Sequence, residues 1–183
     1  MTNEERPLLF LDVDGPLLPF GKSAHVNPIP HTHLARLRPE VGRQLAALPC
    51  DLVWATTWNE DANTEIAPRL GLPQLPVVAW PDSSEDHQHE DQWFGLHWKT
   101  RTLVAWAASR PFIWIDDELT DSDREWVTTN HPGPALLHHV EPSRGLDNED
   151  FTILQKWLHR PYPATTSQSK NPRNHDSTQE TSS

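Results

Sequence analysis

Five short runs of apolar residues, 8–13, 52–55, 75–80, 112–115 and 135–140, stand out of an otherwise polar chain, and each is largely continuous rather than alternating. A strand with one wet face alternates apolar and polar side chains; a continuous run marks a strand covered on both faces, as in a parallel sheet between helix layers. The stretches between the runs carry the complementary signal. Pro39 suits a first helical turn, and Val41, Leu45 and Leu48 follow at helical spacing. Residues 59–70 end at Gly71, which suits the left-handed position after a helix, with Pro73 beyond it. Residues 100–108 carry Leu103, Val104 and Trp106, and 122–129 carry Trp126 and Val127. In 150–159, Phe151, Leu154 and Leu158 form one stripe. Strands alternating with helices predict an α/β domain, a three-layer sandwich around a mostly parallel five-stranded sheet with right-handed crossovers.

This organisation occupies residues 1–160. From 161 to 183 Tyr162 is the only large apolar side chain, and Ser, Thr, Pro, Asn and Gln dominate, so the segment is expected to be a disordered polar tail. Its charges cancel: Lys170 and Arg173 stand against Asp176 and Glu180. The net charge of -11 therefore belongs to the folded part. Such an excess repels phosphate backbones and opposes binding along a nucleic acid, so a phosphate-bearing ligand needs a local exception. The one cysteine, Cys50, cannot form an internal disulfide, and a structural zinc has no cysteine set to hold it. The acidic, polar start and the short run at 8–11 match neither a signal segment nor a membrane span. A cytoplasmic location without membrane association is expected; nothing in the residues speaks to oligomeric state.

In open parallel sheets, ligands sit beyond the carboxyl ends of the strands. There the first run ends in Asp12-Val13-Asp14-Gly15, the second in Thr56-Thr57, and the fourth in Asp116-Asp117-Glu118, while Lys99 precedes the helix leading to that fourth run. Carboxylates, a hydroxyl and an ammonium on one rim suit a hard divalent cation together with a phosphate. Singly, each residue has an ordinary explanation: Asp-Gly forms turns, Thr bonds locally, Lys is solvated, and the acidic pair precedes a helix. Two other motifs fail. An EF-hand loop needs a further oxygen ligand and Gly where Pro16 and Leu17 stand, and a phosphoacceptor receiver domain needs its Asp before the Thr and Lys, an order this chain reverses.

The ordered set of Asp-x-Asp, Thr, Lys and an acidic pair resembles the haloacid dehalogenase (HAD) superfamily. The segment Trp54-Ala55-Thr56-Thr57-Trp58 with Ala62-Asn63 is similar to HAD domains associated with RNA repair proteins. The resemblance implies a HAD-like Rossmannoid fold and a Mg²⁺-dependent phosphatase. Asp12 would be the nucleophile forming an aspartyl-phosphate, and Asp14 the general acid and then base. Thr56, or alternatively Thr57, would hold a phosphoryl oxygen, and Lys99 would neutralise charge. Asp116, Asp12 and the Asp14 carbonyl would bind Mg²⁺, with Asp117 supporting from behind. The second aspartate, which a dehalogenase does not need, favours phosphoryl chemistry. Pro16 directly after Gly15 departs from the pattern and is expected to reshape the flap there.

Only 44 residues separate Asp12 from Thr56 and 43 separate Thr56 from Lys99, too few for a large cap domain. An open site accepts a phosphorylated small molecule or a nucleic-acid end. The competing expectations are a non-catalytic module that binds a phosphorylated partner or scaffolds a complex, and a phosphotransferase with an acceptor other than water. Of nine tryptophans, Trp54, Trp106, Trp114, Trp126 and Trp157 are expected to pack, while Trp58, Trp93 and Trp98 lie nearer the rim, Trp58 being the best candidate for stacking. His87 and His89, in the acidic run 82–92, read as a solvated loop more readily than as a metal site. Of His138 and His139, one alone can face the core.

Overall fold

The computed structural model describes residues 6–21, 33–81, 91 and 93–160. Four parallel strands, β1 (Leu8–Leu11), β2 (Asp51–Trp54), β3 (Phe112–Asp116) and β4 (Ala135–His139), form one sheet in the order β2-β1-β3-β4. The helices are α1 (Pro39–Ala46), α2 (Ala67–Leu70), α3 (Thr100–Ala107), α4 (Asp121–Asn130) and α5 (Asn148–Leu158). The continuous runs acquire their meaning in β1. Leu9 and Leu11 pack with Val41, Leu45, Leu70, Phe151 and Leu154 on the α1, α2 and α5 side. Leu8 and Phe10 pack with Leu103, Val104 and Val127 on the α3 and α4 side. Both faces of the strand are dry, and the layers are helix, sheet, helix.

The fifth expected strand is absent from this sheet. Residues 75–80 touch it through a single bridge, Trp54 to Val77, in which the Trp54 N–H donates to Pro76 O and the Val78 N–H to Trp54 O. Pro73, Pro76 and Pro81 remove N–H groups that a longer ladder would need, so the segment follows the edge of β2 and leaves it. The helix expected over 59–70 is also modified. Residues Ala62–Ile66 form a wide π-type turn before α2, because Pro68 cannot donate and its ring crowds the carbonyl of Thr64. Gly71 ends α2 in the left-handed conformation, φ 69°, as expected.

The polar termini are built by capping. Thr120 and Asp123 form a capping box at α4, and Asp147 and Asp150 form another at α5. His138 is buried and meets Asp150 at 2.8 Å, whereas His139 is exposed. Trp54 and Trp114 are fully buried, but Trp106 is 40 % exposed despite its edge contact with Phe10, contrary to the expectation that it packs. Among the described residues no helix is long and apolar enough to cross a membrane. The expected tail, 161–183, lies outside the described residues, as does the acidic histidine run except Asp91, which pairs with Arg101 at 2.5 Å.

Candidate active site

Parallel register brings the ends of β1, β2 and β3 to one rim, since Leu11 pairs with both Trp54 and Ile115. Each strand's next residues therefore emerge side by side. Asp12 and Asp116 are buried carboxylates, 7 % and 0 % exposed, and Lys99, 3 % exposed, lies between them. Its Nζ is 2.9 Å from Asp12 Oδ2 and 2.8 Å from Asp116 Oδ2. The remaining lone pairs are used locally. Val13 N–H donates to Asp12 Oδ1 at 2.8 Å, Glu118 N–H to Asp116 Oδ1 at 3.0 Å, and the Trp114 indole to Asp116 Oδ2 at 3.2 Å. Buried charges persist only when paired and hydrogen-bonded in this way.

One oxygen from each of Asp12, Asp116 and Asp117 lies within 4.8 Å of the others. Asp117, expected behind the metal ligands, thus stands within the carboxylate cluster. Gly15 makes this possible: its φ is 84°, and a Cβ there would lie 2.5 Å from Asp117 Cγ. The Pro16 flap is a tight turn in which the Leu17 and Leu18 N–H groups donate to Val13 O and Gly15 N–H to Leu18 O.

Crowding shows in the titration of the cluster. Burial, joined by repulsion from Asp116 and only partly offset by Lys99, pushes the Asp12 carboxyl up to about 6. Burial and then Asp116 push Asp117 up to about 6 as well. Burial pulls the Lys99 ammonium down, but Asp12 and Asp116 together outweigh it and hold it above its ordinary value. An all-oxygen set of crowded carboxylates, two of them reluctant to ionise, is the environment a hard divalent cation relieves, so these residues fit Mg²⁺.

Thr56 is buried at the end of β2, where its Oγ1 accepts from Trp58 N–H at 3.3 Å and its carbonyl from the Trp80 indole at 3.0 Å. Thr57 is exposed. The Asp14 side chain stands apart from the carboxylate cluster and accepts from the Trp58 indole at 3.0 Å.

Two contributors escaped the sequence reading. Asp123, fully buried on α4, accepts from His97 N–H at 2.8 Å and Thr100 Oγ1 at 2.6 Å through Oδ1, and from Thr120 through Oδ2. It ties the start of α3, beside Lys99, to the loop after Asp116. His97 accepts from Lys99 N–H through Nδ1 at 3.2 Å and meets Glu118 at 3.1 Å through Nε2. The Thr-x-x-Asp pattern at Thr120 is a local signal for the cap, unused in the sequence expectations above, but not for Asp123's second task; nothing local signals the indole on Asp14.

A parallel α/β/α sandwich with Asp12, Asp14, Thr56, Lys99 and an acidic pair on its carboxyl rim defines the class as a HAD-superfamily domain. More narrowly, the family model described as "HAD domain in Swiss Army Knife RNA repair proteins" matches residues 8–151, and the chain belongs to that family. No curated protein and no solved structure matches the chain significantly.

Proposed function

We propose that the domain is a Mg²⁺-dependent phosphomonoester hydrolase acting through an aspartyl-phosphate on Asp12. The observation that carries this reading is the Lys99 ammonium clamped between Asp12 and Asp116, with Asp117 beside them. Asp12, Asp116 and Asp117 would hold Mg²⁺, with the Asp14 carbonyl as a further ligand. Bound there, the ion would supply Lewis-acid stabilisation of the charge on the phosphoryl group. Asp12 attacks phosphorus while the bond to the leaving oxygen breaks, and Asp14 protonates that oxygen. Water then attacks phosphorus, Asp14 takes its proton, and the Asp12–phosphorus link breaks to release phosphate. Lys99 offsets negative charge throughout, and Thr56 donates to a phosphoryl oxygen.

The substrate is a phosphorylated small molecule or a nucleic-acid end. The family's description concerns RNA repair, which supports an RNA end, and the net charge of -11 supports contact with the end over contact along the strand. The test is phosphate release, with Mg²⁺, from a generic aryl phosphate, nucleotides and 3′- or 5′-phosphorylated oligonucleotides. Activity should be abolished by Asp12→Asn and by chelation. Full activity in that variant would refute the nucleophile; absence of turnover with partner binding intact would favour a non-catalytic module, and phosphate recovered on an added alcohol would indicate a transferase.

A further inference from the structure

The hydrolase reading leaves open what lies on the leaving side of the phosphate, and Trp58 marks that side. Its indole N–H holds Asp14, the group assigned to the leaving oxygen, at 3.0 Å. The ring packs partly against the core and lines an open concavity of about 410 Å³ with Thr57, Asn59, Glu60 and Asp61. His33 flanks the ring at 6.2 Å and 45°, tilted instead of stacked flat on it. An aromatic face beside two carboxylates suits a particular ligand. A heteroaromatic ring stacks on the indole, and its N–H edge donates to acidic acceptors. Glu60 and Asp61 would at the same time repel a second phosphate. A phenol ring offers the stacking face without N–H donors, so it uses half of this chemistry.

On the basis of the hydrolase reading, we infer that Trp58, with Glu60 and Asp61, forms a nucleobase site that selects a nucleoside as the leaving group of the phosphomonoester. Trp58 has two separable tasks: its face holds the base, and its N–H positions Asp14.

The experiment measures binding to the Asp12→Asn protein, with Mg²⁺, by calorimetry. Adenosine, guanosine and cytidine monophosphates, glycerol phosphate and tyrosine phosphate are compared, with 3′- and 5′-phosphorylated oligonucleotides as parallel arms. Nucleotides should bind about tenfold tighter than glycerol phosphate, the scale of one stacked base. Trp58→Leu should erase this preference, and Trp58→Phe, which keeps a ring, should retain most of it. The oligonucleotide arms support the site if they show the same Trp58 dependence, and comparison with mononucleotides tells a chain end from a free nucleotide. In otherwise wild-type protein, Trp58→Phe should slow alkyl phosphates more than aryl phosphates, whose leaving groups need less protonation from Asp14. Equal binding of nucleotides and glycerol phosphate, no binding of either, tighter binding of tyrosine phosphate, or loss of preference in Trp98→Leu in place of Trp58→Leu would each overturn the inference. A wild-type protein that hydrolyses phosphomonoesters without Trp58-dependent preference defeats this inference alone; one that hydrolyses none while retaining the binding preference defeats the hydrolase reading alone.

Discussion

Replacing Lys99 by Met removes the cation that lies between Asp12 and Asp116 while keeping much of its volume. The two carboxylates then face each other with oxygens inside 4.8 Å. At an effective dielectric constant of about 20, two unit charges at that separation repel by about 3.5 kcal/mol. The lost attraction to Lys99 is partly offset because a buried ammonium no longer needs desolvation. The carboxylate repulsion is present with Lys99 in place and goes uncompensated without it; removing one partner of a buried ion pair costs about 3–5 kcal/mol, so a loss of about that size in unfolding free energy is expected near pH 8 without metal. The loss must shrink in acid. Burial raises the folded Asp12 carboxyl from 3.8 to about 6, so its contribution favours the fold at low pH and is lost as pH rises through that interval. Without Lys99 its value rises further, extending that loss to higher pH; near pH 5, Asp12 is mostly protonated and the repulsion is largely gone. Urea unfolding of both proteins in chelator, at about pH 5 and about pH 8, should show a deficit in acid below about half of that in base. Added Mg²⁺ should narrow the deficit near pH 8. Equal deficits at both pH values, or less than about 1 kcal/mol near pH 8, would refute the electrostatic account of the triad.

Two further outcomes follow from the same cluster. Burial pushes the Asp12 and Asp117 carboxyls up to about 6, and as the proposed ligands both must be ionised to hold a metal, so Mg²⁺ affinity should fall steeply as pH drops below that value, with proton release on binding. Calorimetry in buffers of different ionisation enthalpy reads this directly, and affinity unchanged down to about pH 5 would contradict it. Gly15→Ala should cost about 1–3 kcal/mol through its positive φ, and its Cβ should drive Asp117 out of the cluster and weaken Mg²⁺ binding. Thermal unfolding with and without Mg²⁺ checks both effects; unaltered metal stabilisation would mean that Asp117 is no ligand.

The layered architecture was legible because its signals are local. The runs around Leu9, Val53 and Ile113 need two dry faces wherever they are placed, and Gly71 ends a helix through its own backbone freedom. The segment 75–80 has the apolar content of a strand but joins β2 through one bridge alone, because Pro73, Pro76 and Pro81 remove the donors that a ladder needs. Sequence order likewise pointed to Asp12, Asp14, Thr56 and Asp116, since residues just past parallel strands must share a rim, and the family resemblance added Lys99 at the start of α3.

What the chain order could not specify is how those side chains divide the rim. Thr56 lies inside and Thr57 outside because the chain turns just past β2, where the Trp58 N–H and the Trp80 indole hold the Thr56 hydroxyl and carbonyl inward. Asp117 enters the carboxylate cluster because Gly15, about a hundred residues away, lacks a Cβ. The Asp14 carboxylate is held by an indole 44 residues along the chain, and the segment bearing Lys99 is anchored through Asp123 on another helix. The sequence by itself determined which chemical groups reach the rim, through periodicity and motif order. The tertiary structure alone decided which of them meet, because hydrogen bonds and close contacts depend on register and packing between segments that carry no mark of one another.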